Sequence, residues 1–257
     1  ALERVREELV KLMAAPRPSV GLERLREAGL LELWLPELAR CWAVPQNRWH
    51  AHDVYTHSVL ACDHAPAAKP RVRWAALLHD IGKPDTRVER RGEGTFYQHE
   101  RVGAERADRL LERLRFPAEE RAAIVHLVRE HMFDYRAAWS DAAVRRWLRR
   151  VGEEAVADLF DVRIADMLGN GLKTGFPGQL EPLRRRIDRV RSESHALHVR
   201  DLAVDGADVM RALGVGPGPA VGAALAALLE EVLEDPARNT RERLLARLAE
   251  RRREGGA

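Results

Sequence analysis

The chain has 257 residues with 46% apolar and 32% charged side chains, a balance typical of a folded globular protein rather than a disordered one. This length allows one large domain or two small ones. The longest uncharged apolar run near the C-terminus, residues 219–229, is too short to cross a bilayer, and no basic-then-apolar leader opens the sequence. We therefore expect no membrane partner and a cytoplasmic protein. Cys41 and Cys62 form no CxxC pair, which excludes a disulfide framework and a thiolate zinc site.

The positive charge of the chain is carried almost entirely by arginine. The 43 basic residues comprise 4 lysines and 39 arginines, for a net charge of +3. Because arginine binds phosphate in a bidentate way, this excess is compatible with RNA contact. Codon choice in a GC-rich genome explains the same excess without any partner, and charge alone identifies none.

Apolar residues recur every three or four positions along most of the chain, and alternating strand patterns are scarce, so the sequence predicts an all-α fold. The composition of residues 84–97 predicts a polar loop. The glycines and prolines of residues 199–219 indicate a second segment with little regular structure. The predicted helices are residues 2–14, 19–28, 30–38, 53–65, 71–81, 98–115, 117–132, 140–150, 153–168, 178–198, 219–234 and 239–253.

The strongest chemical signal is the doublet His79-Asp80, which ends the apolar helix predicted over residues 71–81. A charged carboxylate buried there costs several kcal/mol unless something compensates it. A divalent metal ion is a strong compensator. The alternative to a metal ion is a structural role, in which Asp80 pairs with one of the many arginines.

Other elements must complete a coordination shell, and His57 and Asp166 both lie among apolar neighbours in predicted helices. With His79 and Asp80 they supply two imidazoles and two carboxylates. This set suits Mn, Fe, Co, Ni or Mg better than a structural zinc ion. The sequence thus predicts a site for one or two divalent ions, with His57, His79, Asp80 and Asp166 as ligands.

Three further residues are candidates for catalysis together with Asp80. His99 opens one predicted helix and His131 ends another, so they could bind a second ion bridged by Asp80 or contact a phosphate. Lys83 follows the doublet and is placed to pair with a phosphate. His50, beside the helix of His57, is more simply interpreted as structural.

The order His57, His79-Asp80, Asp166 resembles the HD superfamily of metal-dependent phosphohydrolases. The surrounding segments resemble the HD region of bacterial tRNA nucleotidyltransferases, the CCA-adding enzymes, and the flanking segments resemble the neck and tail of that family. The stretches that carry the resemblance are residues 29–38, 53–58, 79–84, 96–104, 201–206, 213–222 and 234–242.

The resemblance implies an HD-domain helical bundle over residues 46–170, preceded by a neck-like helical segment, 1–45, and followed by a helical, Arg-rich tail, 171–257. The nucleotidyltransferase head of that family is not found in this sequence, so nucleotide addition is not carried over. What the resemblance implies instead is metal-dependent removal of phosphate from 2′,3′-cyclic, 2′- or 3′-phosphorylated nucleotides or an RNA 3′ end.

An alternative hypothesis is that the chain is the tRNA-binding C-terminal half of a split or truncated CCA-adding enzyme. The arginine clusters at residues 184–191 and 238–253 favour this reading. Solvated helix faces would have the same composition. A nucleotide-sensing regulatory HD protein is a weaker third reading, since the neck-like and tail-like segments resemble parts that handle RNA.

Overall fold

The computed structural model of the chain describes residues 2–90, 93–172, 177–178, 180–193 and 196–254. Helices dominate the described residues, which confirms the all-α prediction. In chain order the helices are α1 (Leu2–Met13), α2 (Pro18–Glu27), α3 (Leu31–Trp34), α4 (Pro36–Ala39), α5 (Val54–His64), α6 (Pro70–Leu78), α7 (Lys83–Thr86), α8 (His99–Arg113), α9 (Ala118–Glu130), α10 (Asp141–Val151), α11 (Val156–Gly169), α12 (Leu180–Glu193), α13 (Gly206–Leu213), α14 (Pro219–Glu234) and α15 (Arg241–Glu254). Residues 91–92, 179 and 194–195 of the predicted segments lie outside the described residues.

Two segments that the sequence predicted to lack helices and strands contain short elements. The predicted polar loop contains α7 and an antiparallel hairpin of β1 (Arg87–Arg90) and β2 (Glu93–Phe96). Strands of four residues are too short to leave a clear alternating pattern. The segment predicted to be loose contains α13, which Asp205 caps by accepting a hydrogen bond from the backbone N–H of Asp208 at 2.9 Å.

Helix α6 forms the centre of the first of two compact units, residues 1–134 and 154–177. Every residue from Val72 to Leu78 is buried, as expected for a helix that is apolar nearly all round. Helices α5, α9 and α11 pack against it. The buried Arg73 guanidinium is satisfied by backbone carbonyl groups, those of Met13, Ala15 and Ala65.

Two glycines allow the elements of this unit to approach closely. A Cβ atom on Gly82 would lie 2.2 Å from the carbonyl oxygen of His99, at the start of α8. A Cβ atom on Gly169, at the end of α11, would lie 2.6 Å from the backbone nitrogen of Ala61 in α5. Backbone therefore packs directly against backbone at both places.

The second unit comprises residues 135–153 and 178–257. Within it α10 packs against α12 and α14, and α13 packs against α14 and α15. Its core includes Leu183, Leu228 and Leu248, and the buried Arg145 donates a hydrogen bond to the Leu233 carbonyl at 2.9 Å. The three-part division predicted from the sequence stays a prediction. In the described ranges, no helix is both long and apolar enough to cross a membrane.

Candidate metal centre

Local sequence features place the first two predicted ligands. Asp53 caps α5 by accepting a hydrogen bond from the Thr56 backbone N–H at 2.7 Å, and this sets the first turn that carries His57. The sequence predicted a helix over residues 71–81 that includes His79 and Asp80. Helix α6 ends at Leu78 instead, so both residues lie in the turn that follows it. In this turn both side chains reach the interior of the unit.

Packing brings the other predicted residues to the same place. Asp166 lies on α11, which packs along α5, while His99 begins α8 and His131 directly follows α9. The structure thus unites ligand candidates from five elements in one buried cluster. Its members are His57, His79, Asp80, His99, His131 and Asp166.

One group of ligand atoms combines His57, His79 and Asp166. The Nε2 atoms of His57 and His79 lie 3.1 Å apart, and Asp166 Oδ1 lies 3.2 Å from Nε2 of His57. Both histidines are buried, whereas the Asp166 side chain is 19% exposed. The group is therefore closed on the histidine side and open to solvent on the aspartate side.

The second group combines Asp80, His99 and His131. Oδ1 of Asp80 lies 3.3 Å from His99 Nε2, which in turn lies 3.3 Å from His131 Nε2. Oδ2 of Asp80 faces the first group, at 3.1 Å from His79 Nε2 and 3.4 Å from His57 Nε2. Asp80 thus presents one carboxylate oxygen to each group, as a ligand bridging two ions would.

The hydrogen bonds behind the rings decide which nitrogen faces the cluster. Nδ1 of His79, His99 and His131 each contacts a backbone carbonyl, which can only accept, so Nδ1 carries the proton. The acceptors are Ala76, Phe96 and Val128, at 2.7, 2.8 and 2.6 Å. In the neutral rings, Nε2 then presents a lone pair to the cluster, the orientation that metal-binding histidines adopt.

Charges in the cluster shift its pKa values. Burial lowers the pKa of His79, but the Asp80 and Asp166 carboxylates outweigh it and the net shift is upward. Burial opposes the ionised form of Asp80, yet His79 and Lys83 hold its pKa well below the usual range. The pKa of Asp166 is lowered against the same burial penalty by its hydrogen bond with His57. Two ionised carboxylates in a buried place attract a compensating cation.

Two further histidines at the cluster stay neutral. Burial lowers the pKa of His131 to about 3, with the nearby His79 and His99 adding to the effect. Burial also lowers the pKa of His50 to about 4, with the Lys83 charge contributing. A neutral imidazole is the form that binds a metal ion.

The atoms of the cluster fit a divalent ion. In their neutral forms, His79, His99 and His131 bring three Nε2 lone pairs to the carboxylates of Asp80 and Asp166, and the buried Nδ1 of His57 has no hydrogen-bond partner in the described structure. A cation removes the repulsion among these acceptors. The set of imidazole and carboxylate donors without sulfur suits a transition metal or Mg.

Lys83 is largely buried rather than free in the cavity. Its Nζ lies 2.6 Å from Asp80 Oδ2 and donates to Gln46 Oε1 at 2.6 Å. Sequence reasoning missed Gln46, because a single glutamine in a loop carries no pattern. It also favoured a structural role for His50, which lines the cavity with its Nδ1 donating to Asn47 Oδ1 at 2.9 Å.

The cluster lies at the wall of an open cavity of about 430 Å³. Side chains that the sequence analysis did not select also line it. They include Arg163 on α11, Tyr97 before α8 and Met132 after His131. Their types alone gave no signal, since arginines are abundant and single aromatic residues are common in cores.

Comparison with known families agrees with this geometry. The HD domain family matches residues 50–171, the span that contains all six members of the cluster. Residues 50–171 of the chain therefore form an HD domain. A second family, described as the probable RNA and SrmB-binding site of polymerase A, matches residues 1–41, ahead of the HD domain.

Two of the similar curated proteins are named as tRNA nucleotidyltransferases. The chain is 36% identical over 241 residues to the A-adding tRNA nucleotidyltransferase of Deinococcus radiodurans, covering 90% of this chain and 54% of that protein. It is 38% identical over 240 residues to the CC-adding tRNA nucleotidyltransferase of Thermus thermophilus, covering 91% and 53%. A multifunctional CCA protein of Verminephrobacter eiseniae is 35% identical over 227 residues. The chain spans about half the length of these relatives.

Proposed function

We propose that the chain is a metal-dependent phosphohydrolase or phosphodiesterase that acts on phosphorylated or 2′,3′-cyclic nucleotides or on RNA ends. The observation that carries this proposal is the convergence of four histidine Nε2 atoms on the carboxylates of Asp80 and Asp166 at the wall of an open cavity. A purely structural cluster would not need so many acceptors in one place.

The two groups of ligand atoms would hold one ion each. His57, His79 and Asp166 would hold the first, and Asp80, His99 and His131 the second. A bound divalent ion supplies Lewis-acid polarisation of a phosphoryl oxygen and lowers the pKa of water at the site.

Lys83 acts on the cluster through Asp80. The Lys83 ammonium contacts Asp80 Oδ2 and Gln46 Oε1 at 2.6 Å each, so it orients the carboxylate and keeps it ionised. The sequence prediction that Lys83 itself pairs with a phosphate stays a prediction. The Nδ1–H hydrogen bonds of His99 and His131 to backbone carbonyls turn their Nε2 atoms toward the cavity.

Apolar side chains at the mouth of the cavity favour a nucleotide. The side chains of Tyr97 and Met132 are 67% and 54% exposed and line the same cavity as the cluster. An exposed aromatic ring stacks on a nucleobase, and a thioether packs against aromatic faces. A phosphate at the cluster would place an attached nucleoside within reach of these side chains.

Metal analysis of the purified chain, followed by a phosphatase screen, tests the proposed function. We expect bound Mn, Fe, Co, Ni or Mg and hydrolysis of at least one 2′,3′-cyclic nucleotide or 2′- or 3′-monophosphate, lost on chelation and restored by the ion. Ribose 5-phosphate, which lacks a base, should be a poorer substrate. A chain that carries no metal and leaves every nucleotide intact would contradict the proposal.

RNA binding is a second candidate function, favoured by the family match over residues 1–41 and by relatives that are named for tRNA. Many arginines of the two clusters pair within the chain. Arg247 and Arg251 both contact Glu231, and Arg186 and Arg189 both contact Asp141. We therefore expect few of them to be available for phosphate.

Filter binding of tRNA at two salt concentrations tests this second function. Two or three phosphate contacts would weaken binding by about 10- to 40-fold between 50 and 200 mM salt, because each contact releases counterions. A measurable affinity with that slope supports an RNA-binding surface. Absent binding, or an affinity that salt does not change, would contradict it.

A further inference from the structure

Arg163 is the charged residue of the cavity that the metal cluster does not explain. It lies on α11, one turn before Asp166, and its side chain is 25% exposed. Nη1 donates to Asp166 Oδ2 at 2.9 Å, and among the described residues the guanidinium has no other partner. Nε and Nη2 therefore keep their N–H groups for a ligand.

The other permanent cation of the cavity is already engaged. Of the described residues that line the cavity, Lys83 and Arg163 are the only lysine and arginine side chains. The Lys83 ammonium contacts Asp80 and Gln46 and is 6% exposed. An anion that enters the cavity would thus find its free charge-assisted donors on Arg163.

We propose that Arg163 binds the phosphate group of the substrate, with Asp166 holding the guanidinium in place through Nη1. Arginine suits this role because its planar fork donates two parallel hydrogen bonds to phosphate oxygens. Asp166 would then link the metal ligands to the arginine that binds phosphate, because its Oδ1 faces His57 and its Oδ2 accepts a hydrogen bond from Arg163. The inference rests on the proposed phosphohydrolase function, and it adds the residue that recognises the phosphate.

A purely structural role predicts something different. If Arg163 only positioned Asp166, its loss would weaken metal binding at the first group and leave the affinity for phosphate at saturating metal unchanged. Phosphate binding and metal binding must therefore be measured separately.

Calorimetry with inorganic phosphate tests the inference on the full chain at saturating concentration of its metal ion. We expect Arg163→Met to weaken phosphate binding by about 10-fold or more, since a hydrogen bond to a charged group is lost. Arg163→Lys should retain part of the affinity, because the charge remains and the bidentate geometry does not. Metal affinity, titrated without phosphate, should change by less than about 3-fold, well below the 10-fold or greater loss typical when a residue that orients a metal ligand is removed.

Arg109→Met is the matched control, because Arg109 is an exposed arginine on α8 and does not line the cavity. It should leave both affinities unchanged. Phosphate affinity that is intact in Arg163→Met, or absent in the wild type, would overturn the inference.

The same data separate this inference from the proposed function. Phosphate binding that depends on Arg163, with no nucleotide hydrolysed, would leave the inference standing and refute the phosphohydrolase. Hydrolysis with an unchanged KM in Arg163→Met would do the reverse.

Discussion

Asp80→Asn should abolish metal-dependent hydrolysis. Among the described residues, Asp80 is the one that presents an oxygen to each group of candidate ligands, at 3.3 Å from His99 Nε2 and 3.1 Å from His79 Nε2. The amide keeps the shape but removes the charge and one acceptor. We expect a loss of about 1,000-fold in kcat/KM, equivalent to ~4 kcal/mol of transition-state stabilisation, together with loss of bound metal.

The measurement combines metal content, circular dichroism and kinetics. Asp108→Asn is the matched control, because Asp108 is 48% exposed and pairs with Arg121 on the surface. Since Asp80→Asn also leaves the buried Lys83 without its anion, His99→Gln serves as a second variant that keeps this pair. It should lose one ion and fold normally. Full activity in either variant would contradict the assigned metal site.

Gly82→Ala should destabilise the first unit and inactivate the site together. The added Cβ would lie 2.2 Å from the His99 carbonyl oxygen and 2.5 Å from the Gly103 nitrogen. Both are backbone atoms, which cannot turn aside as a side chain can. We expect a loss of about 3 kcal/mol in the free energy of unfolding, at the upper end for overpacking. Hydrolysis should fall as well, because α8 would carry His99 away from Asp80.

Thermal unfolding followed by circular dichroism checks this prediction. A loss of 3 kcal/mol should lower the Tm by roughly 6–12 °C in a chain of this size. Gly222→Ala is the matched control, because a Cβ there meets nothing within 4 Å in α14. Alanine inside a helix should leave stability unchanged or raise it by up to ~1 kcal/mol. Equal melting curves for the two variants would show that Gly82 is not a packing constraint.

Much of the helical fold could be predicted because its signals are local. The spacing of apolar residues marks α1 and α8. The Asp53 side chain marks the start of α5 within three residues. The hairpin of β1 and β2 and the helix α13 were not predicted. Each strand has four residues and α13 has eight, and elements this short give a periodic pattern too little length to appear.

The sequence by itself determined the helical class and the candidate ligand residues, since the apolar periodicity and the clustered histidines and aspartates are local features of the chain. Only the tertiary structure decided that Asp80 faces both groups, that Lys83 contacts Asp80 and Gln46, and that Arg163 lines the cavity. These contacts depend on how separate elements pack, with glycine backbone against backbone at Gly82. The arginine excess, at first compatible with RNA, pairs in large part with acidic residues of this same chain.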